Sequence, residues 1–478
     1  MLLPEEFIAY TRPLLGEEIF NKFLSTLDES SPVSIRLNPF KADRKCVKIY
    51  EVDRQVAWCK NGFYLNRRPN FTFDPLFHMG LYYVQEAASM LVHQVIHQYT
   101  DTKQPVTMLD LCAAPGGKST AVRAALPDNS LLFCNEPVGQ RAQILVENLQ
   151  KFGHPDVIVT NNLPRDYQKA GVSFDIILAD VPCSGEGMFR KDSNAVAEWS
   201  LLNVEKCWQL QREIVRDIWP CLKTGGILVY STCAFNNKEN EDNIEWILRE
   251  LDAEILPVHI TADWHITGSL TTSLPVYRFI PGVSRSEGLF MAVLRKREKT
   301  VSQNQTKRNL TKRNLTKRNL TKRKYERNPY LSITDWLVPH CSVDQCQHNE
   351  TLLAIPNRWK EVYSRAAQTL KVLHAGVMLA TFKGKDIIPH QSLALSILLN
   401  KQAFPCFEVS YAQAISFLRK EAIPLPPHLP KGFILLVYQN IPLGFEKNIG
   451  HRANNLYPPE WRIRSTYLPE ENNTIIQI

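Results

Sequence analysis

The string LDLCAAPGGKST, running from Leu109 to Thr120, decides the fold. The apolar run VTMLDLC at 106–112 enters a turn of small residues and then takes on helical spacing. Ala113, Ala114, Gly116 and Gly117 carry little bulk, so a ligand can approach the backbone closely. The helix that follows offers unpaired amides at its N-terminus. A phosphate-binding P-loop needs glycine five residues before Gly117, and Cys112 stands there. The dinucleotide pattern G-x-G-x-x-G is absent as well. What fits is a nucleoside-type cofactor lying over a first strand.

Working outward from that turn, strands and helices alternate from about 105 to 295. LLFCN (131–135), VIVT (157–160), FDIILAD (174–180) and GILVYSTC (226–233) have strand character. GQRAQILVENLQKF (139–152) and a segment around 203–219 have helical spacing. This alternation predicts an α/β core with a parallel sheet and its site at the strands' carboxyl ends. Residues 1–104, with helix-like LLPEEFIAYTRPLL and strand-like SIRLN and GFYLN, predict a small α+β module in front. Residues 328–478 resume globular character, with LLAIP, GVMLATF and FILLVY as strands and a helix over 411–421.

The whole chain of 478 residues, 44% apolar and 22% charged, is long enough for about three domains at ~150 residues each. Disorder throughout, a fibrous repeat and a disulfide-stapled mini-protein are excluded by that composition. Glu5 and Glu6 stand where a signal peptide would carry basic residues, and no apolar run nears the ~20 residues of a membrane span. Eleven scattered cysteines then read as reduced thiols in a cytoplasmic protein. The net charge of +8 comes from one place: residues 295–327 hold 14 Lys and Arg against two acids, and the remainder holds 42 basic against 46 acidic residues. There TKRNL begins at Thr306, Thr311 and Thr316, and TKRK at Thr321. A five-residue period suits neither helix nor strand, so 296–327 reads as a basic linker. A plain spacer and an electrostatic tether for nucleic acid both remain open.

Three strings carry chemistry. Glu136, 20 residues after Gly116, closes the second strand, where an acid can accept hydrogen bonds from ribose hydroxyls. FDIILADVPCSGEGMFRKD (174–192) delivers Asp180 and Cys183 into a glycine-containing turn followed by Arg190 and Lys191. LVYSTCAFNNKENED places Cys233 at the end of another strand, before an acidic helix start. A single buried cysteine is usually a small hydrophobe. Two at neighbouring strand ends, beside a cofactor loop, point to a reaction.

Together CAAPGGK, DVPCSGEGMFRK and YSTC resemble the two-cysteine RNA cytosine-C5 methyltransferases that use S-adenosylmethionine, over roughly residues 30–295. Arg36-Leu37-Asn38-Pro39 and YYVQEAAS at 82–89 match smaller landmarks of that family. A tail ending in KNIGHRANNLYPPEWRIR (447–464) is similar to the PUA-like RNA-binding region of the bacterial small-subunit ribosomal RNA branch. The resemblance implies a Rossmann-like core and methylation of carbon-5 of a cytosine in RNA, ribosomal RNA before transfer RNA. It implies Cys233 as the nucleophile at carbon-6, Cys183 in enzyme release, and Asp180 at the base edge. Cys112, Ala113, Ala114, Pro115, Gly116, Gly117, Lys118, Glu136 and Asp180 would hold the cofactor, and Arg36, Asn38, Arg190 and Lys191 would contact RNA. The target base must be unstacked to react. No metal, no membrane and a monomer are expected.

One departure stands out: the family places an acid for the adenine in the segment matching TNNLP (160–164), where this chain has Asn161, Asn162 and Leu163. That contact then falls to Asn162 or to backbone. A non-catalytic RNA-binding assembly factor and a DNA-type enzyme attacking through Cys183 are the alternatives. His340, Cys341, Cys346 and His348 sit too tightly for a tetrahedral zinc site built from two separated pairs. Trp199, Trp208 and Trp219 read as helix packing.

Overall fold

The computed structural model describes residues 2–101, 103–298, 333–465, 467, 472 and 474–477. The TKRNL repeats, and all of the 296–327 linker beyond residue 298, lie outside the described residues.

A helix α1 (Glu5–Thr26), bent at Gly16, opens the chain. Its buried Phe7, Phe20 and Phe23 form an aromatic cluster with Phe189, Trp199 and Phe235. Four antiparallel strands follow: β1 (Val33–Leu37), β2 (Val52–Gln55), β3 (Gly62–Leu65) and β4 (Tyr82–Val84), in the order β2-β3-β1-β4. Helix α2 (Leu91–Tyr99) leads from this small sheet into the core.

The core alternates as the spacing predicts: β5 (Thr107–Asp110), α3 (Gly117–Ala125), β6 (Leu131–Asn135), α4 (Gly139–Phe152), β7 (Val157–Thr160), β8 (Phe174–Asp180), α5 (Leu201–Ile218) and β9 (Leu222–Thr232). These five strands are parallel in the order β7-β6-β5-β8-β9. β8 is a near-continuous apolar run because helices cover both faces of the sheet; Ile177, Leu178 and Ala179 are fully buried. Ile177 and Leu178 each contribute about 1.5–3 kcal/mol by leaving water. The strand order reverses between β5 and β8, and a parallel sheet opens its crevice at that point.

After helix α6 (Glu241–Glu250) the chain adds β10 (Ala253–Leu256) and β11 (Leu289–Lys296), with β11 antiparallel to β9. The far edge of the sheet is completed from beyond the linker. β12 (Val372–Ala375) pairs antiparallel with β7. The rest of the C-terminal part forms two four-stranded sheets, over 343–389 and 406–455. Its Phe417, Ile434 and Tyr438 share one hydrophobic cluster with Ile35, Leu65 and Tyr82 of the N-terminal sheet. The chain's end returns as well: Ile476–Gln477 pairs with Lys48–Ile49. The C-terminal region is therefore built into the body on both flanks of the core. No helix among the described residues is long and apolar enough to cross a membrane.

Candidate active site

Four strand ends converge at the reversal. β5 ends in Asp110, whose Oδ2 accepts from Ser119 Oγ at 2.7 Å while Oδ1 is buried without a partner among the described residues. Burial outweighs that hydrogen bond and pushes Asp110 up to about 7. The loop 112–118 follows, held by its carbonyls and amides. The Ala113 amide donates to Asn135 O at 2.8 Å. Arg141 Nη2 donates to Ala114 O at 3.0 Å, and Asn148 Nδ2 to Pro115 O at 2.8 Å. The Cys112 thiol is held well above its ordinary range by burial and the Asp110 carboxyl, so it packs rather than reacts.

At the end of β6, Glu136 is 1% exposed. Its Oε1 accepts from the Val138 amide at 3.0 Å. Its Oε2 is buried without a hydrogen bond among the described residues, and the Arg141 guanidinium stands 3.8 Å away. Asp110 Oδ1 and Glu136 Oε2 are thus two buried acceptors beside a loop of small residues, which suits a ligand that brings hydroxyl or amine donors.

Asp180 ends β8. Its Oδ1 accepts from Ser231 Oγ at 2.7 Å and its Oδ2 from Lys118 Nζ at 2.9 Å. Burial works against the charge of Lys118, but Asp180 and the nearby Cys233 prevail and hold it above the ordinary lysine range. Cys183 and Cys233 meet sulfur to sulfur at 2.8 Å, well beyond a ~2.05 Å disulfide bond. The Cys233 amide also donates to Cys183 Sγ at 3.3 Å. Its hydrogen bond to Cys233, and then burial, raise Cys183 well above the usual thiol range. Either sulfur can donate in this contact, and the Cys233 amide makes Cys183 Sγ an acceptor as well.

Residues unmarked by the sequence reading fix that pair. Glu186 accepts from the Phe235 amide, from the Asn236 amide at 3.0 Å and from Trp199 Nε1 at 3.0 Å. Glu239 accepts from the Ser184 amide at 3.1 Å and from Gln211 Nε2 at 2.6 Å. Asn236 Nδ2 donates to both carboxylates. Gly187 passes so close to the second loop that a Cβ would stand 2.8 Å from Cys233 O, and its amide donates to that same oxygen at 2.7 Å. The only signal of this cage was polar density in GEG and NNKENED, which reads equally well as solvated loop.

Other expected residues lie elsewhere. Arg36 and Asn38, expected at RNA, are buried ties: Arg36 joins Gln85 and Thr120, and Asn38 Nδ2 donates to Gly80 O and Phe152 O. Arg190, also expected at phosphate, is buried in a 2.8 Å pair with Glu287. Lys191 alone of that set remains partly exposed, 3.9 Å from Glu287. Asn162, expected at adenine, turns its Oδ1 to the Lys371 amide at 2.9 Å, next to β12. Trp199 and Trp219 are packed in cores, while Trp208 lies under Arg212 with 4.1 Å between them.

Three family models match the chain. The description "16S rRNA methyltransferase RsmB/F" fits residues 98–295, "N-terminal domain of 16S rRNA methyltransferase RsmF" residues 3–87, and "Methyltransferase RsmF PUA domain" residues 404–463. The ribosomal RNA small subunit methyltransferase F of Aliivibrio salmonicida is 30% identical over 319 residues, 64% of this chain and 67% of that one. The protein of the same name from Photobacterium profundum is 28% identical over 492 residues, 98% of each chain. Among solved structures, that of NSun6 from Pyrococcus horikoshii with SFG aligns with a TM-score of 0.51 and 20% identity, over 62% of this chain and 98% of that one. This last likeness is one of fold.

Proposed function

The chain belongs to the 16S rRNA methyltransferase RsmB/F family, and from that premise we propose that it methylates carbon-5 of a cytosine in small-subunit ribosomal RNA. S-adenosylmethionine supplies the methyl group. Residues 112–118 and the buried acceptors of Asp110 and Glu136 suit it, because its ribose and amino groups bring the donors those oxygens lack.

The observation that carries the reading is the 2.8 Å contact between Cys183 and Cys233 beside Asp180. Carbon-5 of cytosine is a poor nucleophile. Cys233, as thiolate, adds to carbon-6 and pushes its electron pair toward carbon-5, which can then take the methyl group. The Cys183 thiol lies against that sulfur, and the Lys118 ammonium is nearby. Asp180, oriented by Ser231 and Lys118, meets the base edge near N3 and N4 and stabilises charge as the adduct forms. Loss of the carbon-5 proton and cleavage of the carbon-6 to sulfur bond then restore the ring. Cys183 is the group placed to assist that release.

RNA is held outside this centre. With Arg36, Asn38 and Arg190 engaged inside the protein, phosphate contacts fall to exposed cations of the N-terminal module. Lys45, Lys48, Lys60 and Arg68 are exposed and enter no ion pair among the described residues. The C-terminal region that matches the PUA model adds a second RNA surface. The reading extends to a monomer that meets its ribosomal RNA in the cytoplasm.

The test incubates Cys183→Ala and Cys233→Ala proteins with small-subunit RNA and the methyl donor, followed by denaturing gels. Cys183→Ala is expected to accumulate a covalent protein–RNA adduct, whereas Cys233→Ala gives neither adduct nor methylated cytosine. An adduct with Cys233→Ala alone would reverse the two roles. Methylation by Cys233→Ala at the wild-type rate would end the covalent scheme.

A further inference from the structure

Between the N-terminal sheet and helix α4 lies a cavity of about 20 Å³ whose walls include Arg36, Phe77, Tyr82, Tyr83, Asn148 and Lys151. The Arg36 side chain is 1% exposed. Its Nε donates to Gln85 Oε1 at 2.8 Å and its Nη2 to Thr120 Oγ1 at 2.6 Å. Its Nη1 is buried and has no hydrogen-bond partner among the described residues. No described carboxylate pairs with it. The acids on neighbouring wall residues are engaged: Glu147 accepts from Lys151 at 2.6 Å, and Asp74 from the Tyr82 hydroxyl at 2.7 Å.

A buried guanidinium with an open donor and no counter-charge is among the costliest arrangements in a protein interior. The cavity beside it exceeds the roughly 10–15 Å³ that one water-sized species needs. We propose that this cavity binds one monatomic anion, chloride under cellular conditions, which accepts from Arg36 Nη1 and supplies the missing negative charge. The site goes beyond methyl transfer and does not depend on it. Its position gives it a structural consequence: Arg36 reaches helix α3 through Thr120, and Asn148 holds Pro115 O. The anion thereby ties the N-terminal sheet to the two elements that frame the cofactor loop.

The test melts the full chain at constant pH and ionic strength while chloride or bromide replaces gluconate. A saturable rise in Tm of about 2 °C or more is expected with either halide, and Arg36→Gln should abolish it. Should that variant fail to fold, bromide-soaked wild-type crystals decide the matter by an anomalous peak adjoining Arg36 Nη1. Equal melting in halide and gluconate, or bromide crystals without that peak, would overturn the proposal and leave a water as the occupant. Neither readout involves RNA or methyl transfer, so failure here leaves the enzymatic reading intact, and loss of that reading leaves this site untouched.

Discussion

Glu136 shows how one carboxylate divides its work. Oε1 caps the Val138 amide and so belongs to the fold, whereas Oε2 is buried without a hydrogen bond among the described residues and is the oxygen proposed for the cofactor's ribose. Glu136→Ala removes both. Losing hydrogen bonds to two ribose hydroxyls at about 1 kcal/mol each should weaken S-adenosylmethionine binding by roughly 10- to 100-fold. Calorimetric titration checks this, with RNA affinity unchanged. Glu446 carries a pH signature of a different kind: burial raises its carboxyl to about 7. A raised carboxyl contributes stability that is complete below its unfolded value and is lost as pH rises through the folded value. Glu446→Gln should therefore melt above wild type at pH 8 and converge with it near pH 4.5, in parallel thermal melts. That Cys183, Cys233, Glu136 and the 112–118 loop stand at neighbouring strand ends was legible in sequence, because each follows a strand of the alternating pattern. Arg36 and Asn38 were not. A basic and an amide residue ahead of a nucleic-acid enzyme look the same whether they face RNA or bind Thr120 and the Gly80 carbonyl across tens of residues.

The five parallel strands of the core and its helices α4 and α5 followed from local patterning, whereas β10 and β11 did not. GQRAQILVENLQKF is α4, residue for residue, and FDIILAD is β8. Both have strong local signals, apolar faces in the helix and an unbroken apolar run in the strand. β12 was invisible as a member of this sheet. VLHA shows nothing that selects β7, more than two hundred residues earlier, as its partner, and only tertiary packing settles that choice. The same long-range contact explains Gly153. It ends α4 at φ +80, and a Cβ there would stand 2.1 Å from Leu395 O of the C-terminal region. Gly171 makes a control, at φ +61 with its nearest atom 4.0 Å away. Gly171→Ala should cost only the left-handed backbone penalty, about 1 kcal/mol. Gly153→Ala must also displace the Leu395 carbonyl and should cost at least about 3 kcal/mol. Denaturant unfolding of the two variants measures the difference; equal losses would mean that the C-terminal region yields freely at this contact.

At the scale of the molecule, the C-terminal region reaches back to both ends of the body, through β12 on the core sheet and through Ile476–Gln477 on the N-terminal module. Composition could suggest three globular parts but not that two of them share a hydrophobic cluster, since that sharing resides in contacts between distant residues. Charge, by contrast, was fully legible. Outside residues 295–327 the chain is mildly acidic, so its attraction to RNA depends on local patches rather than on a general field. The segment Thr306–Lys324 holds nine Lys and Arg and no acid. A spacer and a tether of that composition differ in one measurable respect, because each cation that neutralises a phosphate releases a counterion. If the repeats touch RNA, deleting Thr306–Lys324 should lower the slope of log affinity against log salt by about 2 or more, toward a limit of ~6 for nine cations on a single strand. Affinity at low salt should fall with it, while S-adenosylmethionine binding stays constant because the cofactor loop is held by β6 and α4. A deletion that leaves the slope unaltered would reduce the repeats to a connector and assign the whole electrostatic contact to Lys45, Lys48, Lys60, Arg68 and the C-terminal region.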